Sequence, residues 1–221
     1  MTSLVSCLMV TRNRRTLALR AIRSFLDQTW EDRELVIIDD SDEDWSDHLP
    51  EDPRIRYDHY PPSPATLGEM RNRSLEKAQG KWWVQWDDDD WSHPERIERQ
   101  VESLDKARFG FLSRLTFFWP ERGIAGYTGR REWECSMIVR RDSTGIRYPS
   151  QRMGEDTHLF QALKARYPFT VLDAPELYVR TVHDSNTWDE THFEWLCRSP
   201  DFTPFRREEC HEIGQRTGYP G

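Results

Sequence analysis

Asp87-Asp88-Asp89-Asp90 follows an apolar run that ends at Trp86. Four adjacent carboxylates repel one another unless a cation or solvent relieves them. Mn2+ or Mg2+ is the natural partner, a hard ion that takes oxygen ligands and bridges substrate phosphates. The plainer alternative is an acidic turn that caps the next helix. Ser92 with Glu95 has the spacing of a capping box, which would do that work without the aspartates. Asp39-Asp40 ends another apolar run. A carboxylate there could accept hydrogen bonds from a base or a ribose, or could serve only as a polar turn. Gly154-Glu155-Asp156 opens a segment whose Leu159, Phe160 and Leu163 fall on one helical side. Acids suit a helix N-terminus through capping and the dipole. A carboxylate at the rim of a cleft also suits general-base work. His183, in Arg180-Thr181-Val182-His183-Asp184-Ser185-Asn186, gains a role only if its segment folds back onto the acidic run.

The elements that must carry these residues can be read from hydrophobic periodicity. Residues 4–10 form a continuous apolar run, as in a strand buried on both faces. Leu17, Ala18, Ala21, Ile22 and Phe25 recur at helical spacing. Strands are expected at 35–38, 54–60 and 82–86. A helix is expected over 65–79, with Gly80 as its stop. Another begins after Ser92 and buries Ile97, Val101 and Leu104. Strand and helix alternate four times in the first hundred residues. That is the pattern of an open, largely parallel α/β sheet, in which ligands bind beyond the carboxyl ends of the strands. Asp39, Asp40 and the acidic run all lie at such ends and should converge on one cleft. The second half predicts strands at 111–119, 133–139 and 169–179 and a helix over 156–166. The expectation is one domain over 1–221, its halves (about 1–105 and 106–221) sharing one sheet.

Composition narrows the function classes. The chain has 221 residues and a net charge of −8. An acidic protein is not built as a general nucleic-acid binder, because phosphate contacts need a cationic surface. Arginines still cluster at Arg12, Arg14 and Arg15, at Arg71 and Arg73, and at Arg130, Arg131, Arg140 and Arg141, where a patch could hold a diphosphate. Ten tryptophans argue against disorder and offer flat faces for sugars or bases. The four cysteines are scattered. A zinc site from His192, Cys197, Cys210 and His211 fits no familiar spacing. No signal peptide or membrane span is evident, so a cytoplasmic setting is expected.

Six segments together resemble family 2 glycosyltransferases with a GT-A fold. They are V-S-C-L-M-V-T-R-N-R, L-V-I-I-D-D-S, G-E-M-R-N-R-S-L-E-K-A-Q-G-K-W-W-V-Q-W-D-D-D-D, C-S-M-I-V-R-R, G-E-D-T-H-L-F and V-H-D-S-N-T-W. The resemblance runs from about Leu4 to Trp188. It implies an inverting transfer from a nucleotide-diphosphate sugar, often UDP-linked, to a hydroxyl on a glycan, a lipid-linked or another acceptor. By that resemblance Thr11, Arg12 and Arg71 contact the nucleotide, and Asp40 or Asp39 reads the base. Asp87 and Asp89 match the outer carboxylates of a D-x-D motif around Asp88: Asp89 binds the metal, and Asp87 faces ribose or metal. His183 completes the metal shell, and Asp156, with Glu155 as its rival, is the base. The chain departs from the pattern in D-D-S where relatives often have D-D-G-S. It also lacks the Q-x-x-R-W segment of processive, membrane-bound synthases. A nucleotidyltransferase is one alternative, but Thr11-Arg12-Asn13-Arg14-Arg15 has no phosphate-binding glycine. A non-catalytic sugar- or nucleic-acid-binding module is another, and it would not need these carboxylates together.

Overall fold

A computed structural model of the chain describes residues 3–62, 64–142, 145–186, 188 and 190–219. Its first half alternates as the periodicity predicts: β1 (Val5–Thr11), α1 (Arg15–Leu26), β2 (Arg33–Asp39), β3 (Ile55–His59), α2 (Leu67–Lys77) and β4 (Trp82–Gln85). A two-residue β5 (Trp91–Ser92) and α3 (Arg96–Ser103) follow. The second half holds β6 (Phe109–Leu112), β7 (Thr116–Trp119), β8 (Ile124–Tyr127), β9 (Ile138–Arg140), α4 (Glu155–Arg166), β10 (Phe169–Leu172) and β11 (Tyr178–Thr181). It ends with α5 (Glu190–Cys197), β12 (Thr203–Pro204) and α6 (Arg207–Thr217).

The main sheet has seven strands in the order β10-β6-β9-β4-β1-β2-β3. Only β9 runs against its neighbours. Alternate side chains of the central strands serve opposite layers, as the strand period of two requires. Val5, Cys7 and Met9 pack with Ala18, Ile22 and Phe25 of α1 and Ile97 of α3. Leu8 and Val36 pack with Met70 of α2 and with Leu159, Phe160 and Leu163 of α4. Each fully buried Phe or Leu contributes about 1.5–3 kcal/mol relative to exposure, so both layers clamp the sheet. The result is a mostly parallel α/β sheet flanked by helices, the fold class expected.

A second sheet, ordered β12-β8-β7-β11-β5, adjoins it. Here the sequence expectations need correction. The apolar run 111–119 is two strands in two sheets, broken at Ser113-Arg114, where Asp173 holds both side chains. The run 169–179 is likewise divided at Asp173-Ala174-Pro175 between β10 and β11. The two halves therefore share two sheets: β6, β9 and β10 join the first, and β5 reaches into the second. Ser92 lies in β5 and its hydroxyl accepts from buried Arg96 at 2.8 Å, so it caps no helix. The capping box in this half is Thr66 with Glu69, at the start of α2. Among the described residues no helix is long and apolar enough to cross a membrane.

Candidate active site

The sheet register brings the acidic residues together. Thr11 pairs with Asp39 across β1 and β2, and Leu8 pairs with Gln85 across β1 and β4. Chain leaving β2 and β4 therefore emerges beside the end of β1. A cleft of about 390 Å³ opens there, floored by Thr11, Asp40 and the Asp87–Asp90 run, with the start of α4 opposite.

The two aspartates ending β2 divide the work. Asp39 is fully buried and accepts from the Ser41 backbone N–H at 2.9 Å and the Tyr57 hydroxyl at 2.6 Å. It holds the following loop and does not line the cleft. Asp40 does line it, with Arg12 at 3.5 Å, and burial raises its pKa.

The acidic run is equally divided. Asp87 accepts from Arg71 at 3.0 Å and lies 3.2 Å from the Tyr178 hydroxyl. Asp90 accepts from that hydroxyl at 2.6 Å and from the Thr181 backbone N–H at 2.8 Å. Burial, then Asp89 and Asp87, push its pKa well up, so Asp90 ties the run to β11. Asp88 is buried, its Oδ2 has no hydrogen-bond partner, and burial with Asp89 beside it pushes its pKa up to about 7. Asp89 Oδ2 collects Arg14 at 3.2 Å, His183 Nε2 at 3.1 Å and Asn186 at 3.3 Å. Although burial raises the pKa of Asp89, hydrogen bonding to His183 and the charge of Arg14 bring it below the ordinary carboxylate value. Arg14 is aimed here by Asn13, whose φ of 54° is a left-handed turn that asparagine tolerates. So the segment after β11 does fold back on the acidic run.

His183 Nδ1 accepts the Ser185 backbone N–H at 3.2 Å. With Nδ1 engaged by Ser185, Nε2 is the ring nitrogen that faces Asp89. Among the described residues no three His, Cys, Asp or Glu side chains form a ready cation site. The donors still suit a hard divalent ion. Two neighbouring ligands with bonds of about 2.1 Å to an octahedral ion stand about 3 Å apart, and Asp89 Oδ2 and His183 Nε2 are 3.1 Å apart. Such ions are commonly held by one or two protein ligands, with phosphates and water supplying the rest.

At the head of α4, Glu155 is 2% exposed and accepts from Arg71 Nε at 2.9 Å. Burial raises its pKa, with Arg71 opposing. Arg71 thus ties Glu155 to Asp87. Asp156 pairs with no cation among the described residues; its Oδ1 accepts the Thr157 backbone N–H at 2.8 Å and it lines the cleft.

Residues missed by sequence reasoning are Tyr178, Arg180 and Asn186. Tyr178 and Arg180 stand two apart on β11 and so share a face, a signal that was present but carried no meaning until β11 had a place. Arg180 lines the cleft and makes no ion pair among the described residues. Of the other arginine clusters, Arg130 pairs with Asp173, Arg140 with Asp142, Arg141 donates to Ala78 O, and Arg73 lies over Tyr60. Trp119 is core, whereas Trp133 and Trp188 line the cleft. Cys197 and Cys210 pack in different clusters, and no zinc site forms among the described residues.

Comparison with known proteins bears on the family and the fold. The model of glycosyl transferase family 2 matches residues 6–159. A putative colanic acid biosynthesis glycosyl transferase, WcaA of Escherichia coli K12, is 37% identical over 100 residues, 42% of this chain and 35% of its own length. An uncharacterized glycosyltransferase of Rickettsia felis is 35% identical over 112 residues, 48% of this chain and 18% of its own. The chain thus spans about a third or less of these relatives. Among solved structures, residues 1–349 of S. aureus TarS in complex with UDP-GlcNAc superpose with a TM-score of 0.69 at 14% identity, over 95% of this chain and 70% of that one. The mannosyltransferase PcManGT of Pyrobaculum calidifontis, with GDP-Man and Mn2+, gives 0.63 at 15%, over 84% and 59%. The fold is therefore the GT-A fold.

Proposed function

Because the chain belongs to glycosyl transferase family 2, we propose that it transfers a sugar from a nucleoside-diphosphate sugar, UDP-linked, to an acceptor hydroxyl with inversion. The observation that carries this reading is one cleft lined by Asp40, the acidic run and Asp156 at the carboxyl ends of the strands. Ligand binding at that end is the rule for open α/β sheets.

In this reading Asp40 accepts hydrogen bonds from the base, near Thr11 and Arg12. Asp89 and His183 would hold Mn2+ or Mg2+, with Asp87 and Asp88 behind. When bound, the ion neutralises charge on the departing diphosphate. Arg14 and Arg180, both lining the cleft, supply further positive charge there. Arg71 is spent on Asp87 and Glu155 and keeps the donor floor in register with α4. Asp156 takes the proton as the acceptor oxygen bonds to the anomeric carbon. The bond from that carbon to the diphosphate breaks on the opposite face, and the diphosphate leaves with the electron pair. One displacement inverts the anomeric centre, and no covalent nucleophile is required.

A thermal-shift screen of nucleoside diphosphates and nucleotide sugars with Mn2+ tests the donor half, since a ligand that binds the folded state raises its melting temperature. UDP or a UDP-sugar is expected to raise it, and Asp40→Ala to weaken that rise. A flat response to every nucleotide overturns the reading.

A further inference from the structure

Away from the donor floor, the cleft wall carries hydrogen-bond donors that have no protein acceptor among the described residues. Trp133 lines it, is 1% exposed, and its indole N–H is buried without a partner. Buried donors are nearly always paired, so the wall here is polar and incompletely satisfied. Arg131 lies over the Trp133 ring at 4.5 Å and also lines the cleft. Arg152 stands on the rim just before α4. Neither guanidinium makes an ion pair or hydrogen bond among the described residues.

The neighbours of Arg131 sharpen the point. Arg130 and Arg114 both pair with Asp173, and Glu132 holds Lys164 and Gln161. In this acidic chain those charges are paired off on the outside, and Arg131 alone of that run turns to the cleft. Two carboxylates share the wall. Glu134 accepts the Thr157 hydroxyl at 3.3 Å and Asp156 accepts the Thr157 backbone N–H at 2.8 Å, and neither comes within ion-pair distance of Arg131 or Arg152.

We propose that the acceptor is an anion: a hydroxyl compound whose phosphate or carboxylate group is bound by Arg131 and Arg152, beside Trp133, while its hydroxyl meets Asp156. The inference rests on the glycosyltransferase reading and names its acceptor class. The arginine fork matches both anions, and charge-assisted bonds are stronger than neutral ones. Exposed Trp188 at the same mouth offers a flat face to the attached sugar ring.

The test fills the donor half first. Protein saturated with Mn2+ and UDP, or with whichever diphosphate the thermal screen selects, is titrated calorimetrically with glucose, glucose 6-phosphate and glucuronic acid. At least one anion is expected to bind about tenfold or more tightly than glucose, and the order of the two separates phosphate from carboxylate. Arg131→Ala and Arg152→Ala each weaken that anion several-fold and together bring it to the level of glucose, while UDP affinity stays at wild type. Added salt weakens the anion and not glucose. Glucose binding as tightly as both anions, or a double variant that binds the anion as wild type does, overturns the inference. Failure of every nucleoside diphosphate to bind overturns the donor reading before any acceptor is added, and this inference with it.

Discussion

Adjacent in sequence, Glu155 and Asp156 meet different surroundings at the head of α4. Glu155 is buried against Arg71, and Glu155→Gln removes a charge from that pair. It is expected to lower stability by about 1–3 kcal/mol. Asp156 faces the cleft, and Asp156→Asn should leave the melting temperature unchanged while slowing transfer about a hundredfold to ten-thousandfold. Calorimetry and initial rates on both variants check this. If Glu155→Gln stops turnover at unchanged stability and Asp156→Asn does not, the roles are reversed. Asp88 gives a pH signature. Its pKa rises from 3.8 unfolded to about 7 folded through burial and Asp89. The folded state therefore holds its proton more tightly. That contribution to stability is complete below the unfolded pKa and is lost as pH climbs from 3.8 towards about 7. Asp88→Asn should gain stability relative to wild type between these limits, measured by melting temperatures in a chelator. A difference that does not change with pH means that Asp88 carries no such shift.

At the scale of elements, α2 and the segment before α4 meet at Gly68. A Cβ there would come within 1.9 Å of Pro149 O, and Arg71 lies one turn further along α2. Gly68→Ala should cost about 1–3 kcal/mol by overpacking and weaken nucleotide binding through displaced Arg71. Unchanged melting and binding would mean that this contact relaxes freely. The same elements explain what could be read from sequence. Asp40 and the acidic run follow strands whose apolar runs are strong, so their convergence was legible, whereas Asp156 opens a helix of weak apolar periodicity and was placed only by the family resemblance. Ser92 and Glu95 have the same spacing as Thr66 and Glu69, yet only the second pair caps a helix. The side chain of Ser92 is claimed by Arg96, a partner that helical spacing does not reveal. The long apolar runs hid two changes of sheet, because a strand's hydrophobicity does not say which sheet it joins. Tyr178 and Arg180 could not be placed for the same reason.

Over the whole molecule, a net charge of −8 coexists with a cleft carrying Arg14, Arg131, Arg152 and Arg180. Those arginines share the cleft with Asp40, the Asp87–Asp90 run, Glu134, Glu155 and Asp156, so positive charge there is set among carboxylates and not in a separate basic patch. The fold supplies this by bringing the end of β1, the chain after β4, the loop before β9 and β11 to one mouth. The central claim is glycosyl transfer in that mouth with Asp89 at its cation position. It is tested most directly by measuring nucleoside-diphosphate release from a panel of nucleotide sugars, with Mn2+ or with a chelator, for wild type and Asp89→Ala. The account predicts release by wild type with Mn2+, background with the chelator, and background for folded Asp89→Ala under both conditions. Wild-type turnover by Asp89→Ala in the chelator would contradict it.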